Sequence, residues 1–141
     1  MSGKKSPNSI RGKKSRASGA RFEAKVRAGL EEMGWVVNRW MNTIDYEKNK
    51  IVPAKRKYNP FKKVLVIGTG FPDFMCFKKT EKGFDVIGIE VKAKGYLDKV
   101  EKGMCIWLLE NRIFSRILIA KKGKKRGQTE YIDFAEKYNR I

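Results

Sequence analysis

The chain has 141 residues, a length that suits one domain with a single hydrophobic core. Its net charge of +18 favours nucleic acid as the partner over a basic surface that only keeps the protein soluble, and salt-dependent binding separates these two interpretations. Because histidine is absent and the two cysteines stand alone in apolar runs, Cys/His zinc fingers, His-based zinc proteases and Ser-His-Asp triads are excluded.

The N-terminal segment, residues 1–17, is basic and rich in serine and glycine. It has no apolar stretch of the kind found in a secretory signal, so we predict a flexible basic arm followed by a single domain over residues 18–141. No apolar run approaches the roughly 20 residues that a membrane span needs. We therefore expect a cytoplasmic, DNA-associated protein with no membrane partner.

Helical spacing of apolar residues predicts an amphipathic helix from Ser18 to Met33, and Gly34 is well placed to end it. The next segment, WVVNRW, predicts a short strand. The polar and basic segment from Asn42 to Lys63 contains two prolines and follows neither periodicity clearly. We predict a loop or an irregular hairpin for it.

The middle of the chain predicts consecutive strands. The run KVLVIGTGFPDFMCFKK indicates a strand, a Gly-rich turn and a second strand, and FDVIGIEVKAK indicates a third strand after the turn TEKG. Successive side chains on a strand point to opposite faces, so Glu90 and Lys92 share one face of the third strand. That face changes from apolar to ionic along its length.

The last third of the chain predicts a second helix and two more strands. Apolar residues recur at helical spacing between Leu97 and Leu108, with Asp98 near the start and Asn111 near the end. The run RIFSRILIAKKGKKRGQTEYIDF indicates a strand, a very basic turn and a final strand, and AEKYNR allows a short helix. This order predicts an α/β fold, a mixed sheet with helices packed on it.

Two carboxylates carry the predicted chemistry. If the strands on either side of TEKG pair as a hairpin, Asp73 and Glu90 converge near one end of the sheet. Magnesium takes oxygen ligands, often one or two carboxylates plus a substrate phosphate, so Asp73, Glu90 and the carbonyl of Val91 predict a Mg²⁺ site. The ion would lower the pKa of a bound water for attack on a phosphodiester. Lys92 would orient or deprotonate that water, or stabilise charge on the phosphate.

The pair Pro72-Asp73 followed by Glu90-Val91-Lys92 resembles the PD-(D/E)XK nuclease superfamily, and the chain is similar to archaeal Holliday junction resolvases and related RecB-like nucleases. The resemblance runs from Ala17 to Ala120 and includes SRASGARFEAKVRAGLEEMGW, where the matching acid is Glu23. It implies a restriction-endonuclease-like core in α-β-β-β-α-β order. It also implies cleavage of branched DNA with Mg²⁺, or Mn²⁺ in its place, often by a homodimer. Glu23, Asp73, Glu90 and Lys92 are then the catalytic residues.

The chain departs from this family in two places. Where the helix after the site often carries a glutamine that reaches back to it, this chain has Glu101 or Lys102. The basic segment 42–63 has no counterpart. An excess of apolar positions at Met104, Ile106 and Trp107 is the expected dimer surface.

Three basic clusters are the predicted phosphate contacts. They are Lys4, Lys5, Arg11, Lys13, Lys14 and Arg16 in the arm, Lys55, Arg56 and Lys57, and Lys121, Lys122, Lys124, Lys125 and Arg126. None forms a base-reading motif, so little sequence preference is expected. The alternatives are a RecB-like or restriction-type nuclease acting on forks, flaps, ends or duplex, and a non-catalytic basic DNA-binding protein with a nuclease fold.

Overall fold

The computed structural model describes residues 7–54, 56–59, 64–67 and 70–138, and it describes side chains for 14–54 and 70–138. The helices are α1 Pro7–Glu32, α2 Lys99–Glu110 and α3 Phe134–Tyr138. The strands are β1 Val36–Arg39, β2 Asn42–Asp45, β3 Lys50–Pro53, β4 Arg56–Asn59, β5 Val64–Ile67, β6 Phe74–Thr80, β7 Gly83–Val91, β8 Arg116–Lys122 and β9 Thr129–Asp133.

Five strands form a mixed sheet in the order β1-β6-β7-β8-β9. The β7 and β8 strands are parallel and are joined through α2, whereas the other neighbours are antiparallel. The α/β fold with a mixed sheet and flanking helices, predicted from the order of elements, is therefore confirmed. Among the described helices, none is long and apolar enough to cross a membrane.

Helices cover both faces of this sheet, which explains why β7 is apolar on both sides. On one face, Phe22 and Val26 of α1 belong to the same buried cluster as Ile87 and Ile89. On the other face, α2 and α3 pack over Ile117 and Ile119 of β8. Glu90 lies on this second face, at the end of β7 where the apolar cover stops.

The α2 helix begins and ends where the sequence predicts. Asp98 is its N-cap, and the Asp98 and Glu101 side chains each accept a hydrogen bond from the other's backbone N–H, at 2.8 and 3.0 Å. Asn111 is its C-cap. Met104, Ile106 and Trp107, the expected dimer surface, are partly buried against the second core cluster, so the protein's own core accounts for part of their apolar character.

Three elements differ in extent from the prediction. The α1 helix begins at Pro7 rather than Ser18, so residues 7–17 of the predicted arm are helical here. Ile10 is the only large apolar residue between Asn8 and Arg16, so no helical periodicity marks that first part. The segment from Asn42 to Pro53 is a regular hairpin of β2 and β3, and β4 pairs with β5. The sequence predicts that the next strand starts at Arg112, but residues 112–115 form a turn and β8 begins at Arg116.

Candidate active site

The hairpin of β6 and β7 brings Asp73 and Glu90 together as the sequence predicts. Phe74 lies opposite Ile89 in the antiparallel register, so the residue before β6 faces the last residues of β7. The backbone N–H of Trp40, the residue after β1, donates a hydrogen bond to the Asp73 carbonyl at 3.0 Å, so the backbone at Asp73 is also held by the end of β1. Three neighbouring segments of the chain therefore fix the position of Asp73.

Each of these two carboxylates accepts a hydrogen bond from the other segment's backbone. Glu90 Oε1 accepts from the Asp73 N–H at 3.1 Å, and Asp73 Oδ2 accepts from the Val91 N–H at 2.8 Å. This reciprocal pair aligns the side chains without a bound ion. The other oxygens, Asp73 Oδ1 and Glu90 Oε2, take no part in these two hydrogen bonds.

A close approach of Pro72 to β7 shapes the same corner. A Cβ added to Gly88 would lie 2.8 Å from Pro72 Cγ and 3.2 Å from the Phe114 ring. Gly88 therefore allows the segment with Pro72 and Asp73 to lie against the strand that carries Glu90.

Burial and mutual repulsion perturb both acids. Glu90 is only 5% exposed. Burial, followed by the charge of Asp73 and a hydrogen bond between the two carboxyl groups, raises the pKa of Glu90 to about 9. Burial also raises the pKa of Asp73, against the stabilising hydrogen bond from Val91. Without a cation, the pair therefore retains a proton near neutral pH.

Lys92 lies beside this pair and is held by two acids. Its Nζ is 2.6 Å from Glu101 Oε2 and 3.7 Å from Glu90 Oε2. Burial disfavours the ammonium form, but the hydrogen bond to Glu101 and the charges of Glu101 and Glu90 outweigh it and raise the pKa of Lys92. Lys92 is therefore a cation at neutral pH.

Of the two residues that the sequence offered from α2, it is Glu101 that reaches the site. Its second carboxylate oxygen accepts from the Asp98 N–H, so the capping box of α2 holds the partner of Lys92 in place. Lys102 points elsewhere, with its Nζ 4.9 Å from the Tyr138 ring centroid.

Glu23 borders the site without joining the pair. It is bound to Arg39 at 2.8 Å, and its charge is near enough to raise the pKa of Asp73. Across the part of the chain whose side chains are described, no three or more His, Cys, Asp or Glu residues are arranged to hold a metal ion. Glu23 is paired with Arg39 here, and its predicted role as a third acid of the site stays a prediction.

Arg39 is a site residue that sequence reasoning missed. It lies opposite Phe74 in the pairing of β1 with β6, and its guanidinium lies 5.4 Å from the Phe74 ring centroid. Its charge lowers the pKa of Asp73. The only signal in the sequence was an arginine on a short strand, because its place beside Asp73 depends on a pairing between distant segments.

The predicted phosphate contacts are only partly described. Lys14 and Arg16 are exposed on α1, and in the last cluster Lys122, Lys124, Lys125 and Arg126 are exposed at the turn between β8 and β9. Lys121 is half-buried and 3.6 Å from Glu130. Lys4, Lys5 and Lys55 lie outside the described residues. For four further residues the structure describes the backbone only: Arg11, Lys13, Arg56 and Lys57.

Compared with protein-family models, curated proteins and solved structures, the chain matches none. The buried carboxylate of Glu90 and the half-buried carboxylate of Asp73 are held against each other, with the Val91 carbonyl nearby in sequence. Such a pair suits a hard divalent cation because the ion relieves the repulsion between them. The residues present therefore fit Mg²⁺.

Proposed function

We propose that the protein is a Mg²⁺-dependent endonuclease that hydrolyses phosphodiesters of branched DNA, in the manner of a Holliday junction resolvase. One observation carries the proposal: the hydrogen-bonded pair of Asp73 and Glu90, of which Glu90 is buried, lies beside the Lys92 ammonium at one end of the sheet. The net charge of +18 supports a polyanionic substrate.

In the proposed reaction, Asp73, Glu90 and the Val91 carbonyl hold the ion. When bound, Mg²⁺ polarises the scissile phosphate and lowers the pKa of the attacking water. Lys92 is held as an ammonium by Glu101 and Glu90, so among its three predicted roles we favour stabilisation of negative charge on the phosphate over proton abstraction. Glu101 acts as a positioning residue for Lys92.

Arg39 and Glu23 have proposed roles at the edge of the site. Arg39 is half exposed and lies near Asp73, where its guanidinium can contact a phosphate next to the scissile one. Glu23 holds Arg39 at 2.8 Å and so orients it. This assigns Glu23 a positioning role in place of a metal ligand.

The choice of branched DNA follows the resemblance of the Pro72-Asp73 and Glu90-Val91-Lys92 motifs. A four-way junction requires two symmetric incisions, so we propose that a homodimer supplies the two sites. Linear duplex, forks and flaps are the competing substrates.

The test is a panel of end-labelled four-way junction, fork, flap and linear duplex DNA, incubated with Mg²⁺, with Mn²⁺ and with EDTA. The wild type is compared with Asp73→Asn and with a control, Glu110→Gln, an exposed acid at the other end of α2. We expect metal-dependent incision, fastest on the junction, that Asp73→Asn loses and Glu110→Gln keeps. Tight binding to every substrate with no incision under any condition would instead indicate a non-catalytic DNA-binding protein.

A further inference from the structure

A basic groove lies between α1 and the turn that joins β8 to β9. It has a volume of about 550 Å³. Six cationic residues line it: Arg21, Lys25, Lys122, Lys124, Lys125 and Arg126. Among the residues that the structure describes, no acidic side chain lines it.

The groove is held together by contacts between segments that are far apart in sequence. Lys25 Nζ donates a hydrogen bond to the carbonyl of Gly127, which joins α1 to the turn. Within the turn, the Gly123 N–H donates to the Gln128 carbonyl at 2.7 Å. Gly127 has φ +84°, a conformation that favours glycine. The fold thus holds like charges from both elements around one space, where a bound anion would relieve their repulsion.

The groove opens at the end of the sheet that carries the candidate active site. The β7 and β8 strands run parallel and end together, and the Lys92 N–H donates to the Ala120 carbonyl while the Lys122 N–H donates to the Ala93 carbonyl, at 2.9 and 3.1 Å. On the α1 side, Phe22 lines the groove and its neighbour Glu23 is bound to Arg39 at the active site. The groove, on the α1 face, and the candidate active site therefore share this end of the sheet.

The chemistry of the lining selects phosphates rather than bases. Phe22 is the aromatic residue of the lining, and it is only 5% exposed with Lys122 Nζ 5.6 Å from its ring centroid. It offers no open ring for base stacking. The lysine ammonium groups around it are compact charges, and the arginine guanidinium groups present several N–H donors in one plane; both suit phosphate oxygens.

From these observations we infer that the groove binds consecutive phosphates of one DNA strand, next to the site of cleavage and without regard to sequence. The inference rests on the proposed function in taking DNA as the ligand. It goes further by assigning Arg21 and Lys25 of α1 to the same phosphate site as the turn.

The test compares two triple variants with equal loss of charge. Lys124→Ala/Lys125→Ala/Arg126→Ala removes cations from the groove. Lys48→Ala/Lys79→Ala/Lys82→Ala removes exposed cations from the β2–β3 turn, the end of β6 and the β6–β7 turn, away from the end of β7. Binding of a fluorescein-labelled, mixed-sequence single strand is measured in EDTA across a salt series. Lys25→Ala is measured alongside as a single change on α1.

For the groove variant, we expect the slope of log K against log salt to fall in magnitude by about 2, because each phosphate contact with a single strand contributes about 0.7. Affinity at fixed salt should fall at least tenfold, whereas the control variant should stay within about twofold of the wild type. Lys25→Ala should reduce the slope by about 0.7.

Equal losses in the two triple variants would overturn the inference, because binding would then follow total charge and not the groove. Displacement of the strand by polyglutamate as readily as by unlabelled DNA of equal charge would also overturn it, in favour of an acidic protein partner. Since binding is measured in EDTA, failure of the groove appears here, and failure of the proposed nuclease appears in the cleavage panel.

Discussion

Replacing Glu90 with glutamine is expected to stabilise the metal-free protein at neutral and alkaline pH. Burial and the neighbouring Asp73 raise the pKa of Glu90 from 4.5 to about 9. Between these values the folded state holds a proton that the unfolded state has released. Stability therefore falls as pH rises through this window, and the raised pKa of Asp73 acts in the same direction.

The size of the effect follows from the same shift. Each pH unit above 4.5 costs the folded state up to about 1.4 kcal/mol, so the cost over the 2.5 units to pH 7 is at most about 3–4 kcal/mol. Because Asp73 and Glu90 share the proton, we expect about 2 kcal/mol. Glutamine keeps the acceptor for the Asp73 N–H and offers an N–H towards the Asp73 carboxylate, so it imitates protonated Glu90 without titrating.

The assay is urea unfolding in EDTA, followed by tryptophan fluorescence at several pH values between 4.5 and 8.5. We expect Glu90→Gln to equal the wild type near pH 4.5 and to exceed it by about 2 kcal/mol at pH 7, where the difference corresponds to roughly 6 °C in Tm. Glu110→Gln is the control and should follow the wild type at every pH. A constant difference between Glu90→Gln and the wild type across the range would refute the reasoning.

Three further predictions use the same site. Mg²⁺ should raise the Tm of the wild type with a concentration dependence that Glu90→Gln loses, because the proposed ion site exists only when folding brings the two carboxylates together. Calorimetry with Mg²⁺ checks this, and an equal rise in the variant contradicts it. Glu101→Gln should lower the cleavage rate about tenfold with little effect on DNA affinity, because Lys92 loses the carboxylate charge that lies 2.6 Å from its Nζ. A drop in DNA affinity with no drop in cleavage rate would contradict the positioning role. Gly88→Ala should lower the free energy of unfolding by about 1–3 kcal/mol, because the alanine Cβ would lie 2.8 Å from Pro72 Cγ. If urea unfolding of the variant matched that of the wild type, Pro72 would have to move aside freely.

The sequence was most informative where the controlling interactions are local. The alternation along β6 and β7 and the turn TEKG were sufficient to predict a hairpin, and the hairpin register is what brings Asp73 and Glu90 together. Asp98 and Asn111 marked the ends of α2 because capping depends on residues within one turn of the helix.

The rest of the site depends on contacts between distant segments, which one sequence does not reveal. Arg39 reaches Asp73 only because β1 pairs with β6, and neither strand indicates that pairing. The choice of Glu101 over Lys102 depends on how α2 is rotated against the sheet. The early start of α1 had a single large apolar residue, Ile10, and so no periodicity to mark it. The basic groove required α1 and the β8–β9 turn to be seen side by side.

The oligomeric state needs a separate measurement because Met104, Ile106 and Trp107 pack partly into the protein's own core. If the proposed homodimer supplies two sites, sedimentation with and without four-way junction DNA should show two chains on each junction. One chain on each junction, with full cleavage activity, would exclude paired incision by a dimer.

The most direct measurement is the rate at which Glu90→Gln nicks a four-way junction in Mg²⁺, set beside its affinity for the same DNA. The proposed mechanism predicts a protein at least as stable as the wild type, binding within about twofold, and nicking slower by on the order of 10²–10³ or more because the ion loses a ligand. Nicking at the wild-type rate would contradict the assignment of Glu90 to the active site.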